Sequence, residues 1–336
     1  MSKRKGLFVL EPYWFQSIYA VQDREELREW LDFPNRAFSP KEIEANPDLL
    51  RNVEILFSGW YGGPLTREIL DAAPRLRAVF FGGGSVRWLA TEAFWERDIV
   101  LSSAAAANAV PVAEFTLAQI ILALKRAHWY GAELRRTREY PRYDAEEGRV
   151  AGAYRSTVGI VSLGLIGRRV RELLRLLDVR VVAYDPFVAE EEAARLGVEL
   201  VPLDELFRVA DVVTLHTPLL EETRGLVSAD LVGSMKPGAA LVNTSRGAVI
   251  DEEGLIAVLR RRADLSAVLD VTAQEPPPKD SPLYALPNVV LTPHIAGSQY
   301  GECRRMGRWM IEEAQRFLSG KPLRWQITRE RAALLA

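Results

Sequence analysis

One cysteine, Cys303, stands in a chain of 336 residues. A lone thiol excludes an internal disulfide and any cysteine-cluster metal site. Histidine is nearly as scarce: His128, His216 and His294 are the whole set, so each can be weighed by itself. No charge of one sign dominates. The formal net charge is −2, which argues against a nucleic-acid surface. No apolar run is read as long enough to span a membrane, and no secretory pattern follows the first five residues. Internal repeats and low-complexity tracts are missing too. These absences predict a cytoplasmic chain that binds no metal, no nucleic acid and no membrane. What remains is a globular composition, 48% hydrophobic and 26% charged, with length enough for two cores.

Apolar stretches at 7–10, 53–58, 76–81 and 99–102 read as strands separated by helical patterns. Such alternation predicts a small doubly wound parallel-sheet domain in the first hundred or so residues. Residues 108–138 read as one long helix, with Asn108 as its cap and Pro111 in its first turn. Residues 137–157 read as an irregular loop. Strand and helix patterns then alternate again, up to a final helix at 302–318.

The most informative stretch is 158–185. An apolar run enters the turn Ser162-Leu163-Gly164-Leu165-Ile166-Gly167, an amphipathic helix follows, and a second apolar run ends on Asp185. A βαβ unit of this kind binds a dinucleotide. The helix N-terminus takes the pyrophosphate, and the acid takes the ribose hydroxyls. Gly164 allows close approach of phosphate, and Gly167 allows close packing of helix on strand. Ser162 replaces the first glycine of the usual pattern, and its Cβ is expected to keep φ negative there. Asp185, followed by Pro186 and Phe187 rather than by a cation, predicts NAD over NADP.

Polar residues fall after three further strand patterns: Arg246, Glu275 and His294. Ligands of open parallel sheets sit beyond the carboxyl ends of the strands. A guanidinium fork suits a carboxylate or a carbonyl. An imidazole exchanges a proton near neutral pH, and a carboxylate beside it fixes its orientation. Taken singly, each has an ordinary reading as surface charge, loop acid or satisfied loop histidine. Taken together with a nicotinamide, they suit hydride transfer between a 2-oxo acid and a 2-hydroxy acid. His216 is expected to shape a cofactor loop, and His128 to pack or face the surface.

The chain resembles the D-isomer-specific 2-hydroxyacid dehydrogenases. The resemblance rests on N-A-V-P-V-A-E-F-T-L from Asn108, H-T-P-L-L-E-E-T-R-G-L from His216, M-K-P-G-A-A-L-V-N-T-S-R-G-A-V-I-D from Met235, L-D-V-T-A-Q-E-P from Leu269 and L-T-P-H-I-A-G from Leu291. It implies Arg246, Glu275 and His294 as catalytic. It implies NAD held by Gly164, Leu165, Ile166, Gly167, Asp185, His216, Thr217, Thr244, Ser245, Asp270, His294 and Gly297. It also implies an α/β chain of two doubly wound, Rossmann-like parallel-sheet domains with an active-site cleft between them. Residues 1–107 with 298–336 would form a flavodoxin-like substrate domain, and 108–297 the NAD-binding domain. A homodimer built on the 108–138 pattern follows from the same resemblance, and the short stretch after the final helix is expected to leave no room for an extra regulatory domain.

The substrate loop departs from the family. Arg87, Trp88 and Ala90 stand where Asp, Asn and Asp are usual. The N–H groups of Gly83, Gly84 and Ser85 remain a nest for a substrate carboxylate, with Arg87 and Arg246 as further substrate contacts. The expected function is NAD-dependent interconversion of a 2-oxo acid and a D-2-hydroxy acid. Formate-type oxidation is disfavoured, because that branch lacks the glutamate present here as Glu275. The rival from another class is a dinucleotide-sensing binding protein of the corepressor type. Aromatic residues after strand patterns, at Tyr13 and Trp14, Trp60 and Tyr61, and Trp88, predict a bulky apolar group on the substrate. Arg87 predicts instead a second negative charge.

Overall fold

The computed structural model describes residues 3–140 and 152–333. Residues 141–151, within the expected loop at 137–157, lie outside the described residues. The chain divides into two compact units, Met1–Ala109 with Ser298–Ala336, and Val110–Gly297.

The first unit is built on β1 (Arg4–Val9), β2 (Leu31–Asp32), β3 (Ala37–Phe38), β4 (Ile55–Gly59), β5 (Ala78–Gly82) and β6 (Val100–Ser103). These strands are parallel, in the order β6-β5-β4-β1-β2, with β3 also pairing β1. β4 and β5 are buried along their whole length, as expected for strands covered on both faces. Phe8, Phe57 and Phe80 stack in a row across neighbouring strands, with ring centroids 4.8 and 5.5 Å apart. The helix Cys303–Leu318 packs against this face. It is not the final element. A two-residue strand, Gln326–Ile327, adds antiparallel to β6, and a short helix Arg329–Ala333 follows. The strand is held by Glu313, only 1% exposed, whose carboxylate accepts from the Arg324 and Trp325 N–H groups and from Ser102 Oγ.

The second unit contains β7 (Ser156–Val161), β8 (Val179–Tyr184), β9 (Glu199–Leu200), β10 (Val212–Leu215), β11 (Ala240–Asn243), β12 (Ser266–Leu269) and β13 (Val289–Leu291). All are parallel, in the order β13-β12-β11-β10-β7-β8-β9. Chain progression reverses between β7 and β10. Such a switch point opens a crevice at the carboxyl ends of the strands.

The long helical pattern differs from expectation in four ways. The helix starts earlier, as Ala105–Leu124, so Asn108 lies in its first turn rather than at its cap. The Asn108 side chain instead accepts from the Ser298 N–H at 2.8 Å. Pro111 is consequently inside the helix. The pattern also breaks at Arg126, which adopts φ 51°, and resumes as Ala127–Thr137. Finally, Ala105–Leu124 is long and apolar enough to cross a membrane by length and composition, yet more than half of it is buried inside the fold. Asn108, Glu114 and Gln119 interrupt the run in the sequence, which is why no spanning length is visible there.

Candidate functional site

In the second unit β7 delivers the chain into the turn Ser162–Gly164, and the helix Leu165–Leu174 starts at Gly164 with no side-chain cap. The first N–H groups of a helix have no partner within it, so these point outward as anion donors. A Cβ on Gly164 would meet nothing within 4 Å. The space beside this helix start is therefore open to a ligand. At Gly167 a Cβ would lie 2.1 Å from the Ser162 carbonyl oxygen, so this glycine permits the helix to pack on the strand. Ser162 corrects the expectation of negative φ: it sits at φ 75°. Its N–H donates to the Tyr184 carbonyl at 2.8 Å, and its hydroxyl shares a 3.0 Å bond with that of Thr217. Serine thus takes the left-handed turn usually given to glycine, held at both ends by β8 and by the loop after β10.

Asp185, just beyond β8, accepts from the Leu163 N–H at 2.7 Å and the Phe187 N–H at 2.9 Å, one on each oxygen. The bonds fix the carboxylate, and each oxygen keeps capacity for a hydroxyl donor. His216 follows β10 and is buried. Its Nε2 lies 3.2 Å from Thr214 Oγ1, while Nδ1 has no partner among the described residues. Burial pushes its pKa down to about 3, so the ring is neutral and unsuited to acid–base work at physiological pH. An open glycine at a bare helix end, a fixed acid and an unpaired buried ring nitrogen together fit a bound dinucleotide.

Arg246, Glu275 and His294 follow the adjacent strands β11, β12 and β13. Arg246 is half-buried, and its Nη1 donates to the Ser245 carbonyl at 2.7 Å. Asn243 shapes this turn: its Nδ2 donates to the Arg246 carbonyl, and its Oδ1 accepts from the Ser245 N–H and hydroxyl. Burial lowers the Arg246 pKa, and the charge of Glu275 opposes that shift. The guanidinium stays charged. Thr244 Oγ1 lies 3.0 Å from Thr116 Oγ1 on the long helix.

His294 Nδ1 is 2.7 Å from Glu275 Oε2, with the two side chains 49% and 41% exposed. The pair is therefore open to a ligand. His294 sits at φ 54°, a costly conformation for a side chain of this size. Asp270 maintains it. One oxygen accepts from Thr292 Oγ1 at 2.6 Å and the Ile295 N–H at 2.9 Å, and the other from the Ala296 N–H at 2.9 Å. The Asp270 carbonyl accepts from the His294 N–H at 2.9 Å. The carboxylate assigned to the cofactor by resemblance thus also braces the histidine loop, and its second oxygen, with one N–H donor, keeps capacity for another. Thr292, two residues before His294, shares that task and was not singled out from the sequence, although L-T-P-H-I displays it.

In the first unit the Gly83 N–H is taken by the Phe81 carbonyl at 2.9 Å, and Ser103 Oγ donates to the carbonyls of Gly83 and Gly84. The expected nest of three donors is therefore reduced to Gly84 and Ser85, whose N–H groups meet no acceptor among the described residues. Trp88 lies edge-on to Phe81 at 5.5 Å.

Comparison with known proteins bears on this arrangement. The family model for the D-isomer specific 2-hydroxyacid dehydrogenase NAD binding domain matches residues 117–296, more than half of the chain. The chain belongs to this family. Within it, the dehydrogenase-family chain is 36% identical over 253 residues to (S)-sulfolactate dehydrogenase of Chromohalobacter salexigens, covering 75% of this chain and 81% of that one. It is 33% identical over 261 residues to D-3-phosphoglycerate dehydrogenase of Methanocaldococcus jannaschii, covering 77% of this chain and 49% of that one. The chain spans about half the length of the phosphoglycerate dehydrogenases it matches. Among solved structures, the apo form of Rhodotorula graminis D-mandelate dehydrogenase superposes with a TM-score of 0.80 at 25% identity, covering 98% of both chains. The second unit of this family member is accordingly an NAD-binding domain.

Proposed function

We propose that this chain interconverts a 2-oxo acid and a D-2-hydroxy acid with NAD(H), working chiefly as a reductase. The observation that carries the reading is the 2.7 Å His294–Glu275 pair, one strand removed from Arg246 in an NAD-binding domain. The bound cofactor supplies hydride. The N–H groups at the start of the Leu165–Leu174 helix hold its pyrophosphate, and Asp185 holds the adenosine ribose hydroxyls. Arg246 grips the substrate's carboxylate and carbonyl side as a planar fork. Glu275 occupies Nδ1 of His294, which leaves Nε2 to give a proton to the carbonyl oxygen during reduction and to take it back during oxidation. The carboxylate also balances the charge of the ring when it carries two protons. Loss of NADH absorbance with a panel of 2-oxo acids tests the proposal; binding of NADH without turnover of any of them contradicts it.

Cofactor choice follows from Asp185. A 2′-phosphate would meet a fixed negative charge there, with no cation at Pro186 or Phe187 to offset it. NADH is expected to give the higher kcat/KM, and Asp185→Ser is expected to narrow the gap to NADPH. Higher efficiency with NADPH in the unmodified enzyme would refute this reading of Asp185.

Asp270 is proposed to act through His294. Asp270→Asn keeps the size of the side chain but replaces one acceptor oxygen with a donor that faces a backbone N–H. The expected result is a fall in kcat of roughly five- to a hundredfold, the scale of about 1–3 kcal/mol for a buried N–H left without its acceptor, with NADH affinity retained. A weaker affinity for NADH at unchanged kcat would make Asp270 a cofactor residue instead.

A cytoplasmic homodimer completes the proposal. The helix Ala127–Thr137 buries none of its residues, and Ile121, Leu122 and Leu134 are exposed on it and on the helix before it. A second copy covers such a surface. Sedimentation should give twice the chain mass, and Leu122→Glu should return it to the monomer value.

A further inference from the structure

Four aromatic rings gather at the carboxyl end of the first unit's parallel sheet, where open sheets bind ligands. Tyr13 and Trp14 follow β1, and Trp60 and Tyr61 follow β4. Trp14 is the centre of the group. It meets Trp60 edge-on at 4.7 Å, Tyr13 edge-on at 5.0 Å and Tyr61 face to face at 6.5 Å. Tyr13 and Tyr61 are 66% and 68% exposed, so these rings are not core. Tyr61 also sits at φ 60°. That conformation is costly for a bulky residue, and glycine or asparagine would take it with less strain. The turn is closed by the Gly62 N–H on the Gly59 carbonyl, and the ring is held over Trp14; a strained backbone that presents an exposed ring in this way is a pointer to function.

The wall abuts the turn after β5. A Cβ on Gly83 would come within 3.3 Å of Trp60 Cδ1, so the indole lies directly against that turn. The next two residues, Gly84 and Ser85, hold the unpaired N–H groups described above. A pair of adjacent backbone donors suits a carboxylate, and rings beside it suit an apolar group joined to that carboxylate. Aromatic walls offer large apolar area with few rotamers to freeze.

We infer that this surface selects a 2-oxo acid bearing an arylalkyl or branched-alkyl group: the carboxylate lies on the Gly84–Ser85 donors and the apolar group on Trp60, Trp14 and Tyr61. The inference rests on the reading of the chain as a 2-hydroxyacid dehydrogenase and narrows it. It also separates this chain from relatives named for phosphoglycerate and sulfolactate, whose substrates carry a second anionic group. The four rings present no cation to such a group, and Arg87 carries the competing reading.

The test is kcat/KM with NADH for phenylpyruvate, 2-oxoisocaproate, glyoxylate, oxaloacetate and 3-phosphohydroxypyruvate. Phenylpyruvate or 2-oxoisocaproate should exceed glyoxylate by at least about a hundredfold, since each added methylene in an apolar site is worth roughly tenfold or more. Tyr61→Ala and Trp14→Leu should each lower the phenylpyruvate-to-glyoxylate ratio about tenfold or more. Because the ratio is taken within one preparation, partial misfolding of a variant cancels from it. Preference for glyoxylate, or a ratio unmoved by both variants, overturns the inference. Preference for oxaloacetate or 3-phosphohydroxypyruvate overturns it in favour of Arg87. If no 2-oxo acid is reduced, the proposed function fails, and calorimetric titration decides the surface separately. Tighter binding of D-3-phenyllactate than of D-glycerate, lost in Tyr61→Ala, supports it; equal binding overturns it.

Discussion

His294→Ala is expected to lower 2-oxo acid reduction by roughly two to four powers of ten, the range over which a positioned general acid acts. NADH affinity should change little, because the pyrophosphate and ribose contacts proposed here lie at β7 and β8 rather than at β13. The bonds from Asp270 to this loop run to backbone N–H groups and to Thr292 rather than to the imidazole, so no loss of fold is expected. Glu275→Gln should give a smaller loss, roughly ten- to a hundredfold, the scale of about 1.5–3 kcal/mol for a hydrogen bond to a charged group, because an amide oxygen still accepts from Nδ1 but no longer balances a charged ring. Single-turnover rates with pre-bound NADH measure both. Full activity in His294→Ala would remove the histidine from the mechanism.

Arg246→Gln is expected to lower kcat/KM by roughly thirty- to several-thousandfold, the scale of about 2–5 kcal/mol lost when one partner of a desolvated charge pair is removed. Arg246→Lys should recover little. It keeps the charge but loses the planar fork and the second donor that grips a carboxylate. The Arg246 fork is already held by the Ser245 carbonyl and by the Asn243-braced turn, and a lysine ammonium has no such constraint. A lysine variant with the efficiency of the unmodified enzyme would show that charge alone suffices.

The parts of the fold carried by long, continuous patterns are legible in the sequence. β7 and β8 are apolar runs around a glycine turn, and they pair directly as neighbours in the sheet. Arg246, Glu275 and His294 stand out because polar residues interrupt the chain where parallel strands end. Features set by one particular partner, near or far along the chain, are not legible. The strand Gln326–Ile327 has two residues and no apolar run; it exists because Glu313 binds its approach. At the break, the Arg126 guanidinium lies 4.4 Å from the centre of the Trp129 ring, a contact no periodicity reveals. Ser162 turns left-handed while bonded to Thr217, 55 residues further on, whereas a rule based on its Cβ alone gives the opposite sign of φ. Gly83 likewise looks like a donor until the Phe81 carbonyl claims its N–H. The tie between Asp270 and the histidine loop lies between these cases. Both runs are visible in the sequence, but only the folded β12–β13 pair brings them together.

The proposed reaction passes hydride to the 2-carbon of an oxo acid while His294 supplies the proton. The most direct measurement is mass and chiral analysis of the product formed from phenylpyruvate and NADH deuterated at both positions of the nicotinamide C4, using the full chain and His294→Ala in parallel. The account predicts D-3-phenyllactate carrying deuterium at C2, one molecule for each NADH oxidised, with the variant binding NADH but forming product at least about a hundredfold more slowly. NADH binding by both proteins with no deuterium transferred to phenylpyruvate or to any other 2-oxo acid would contradict it.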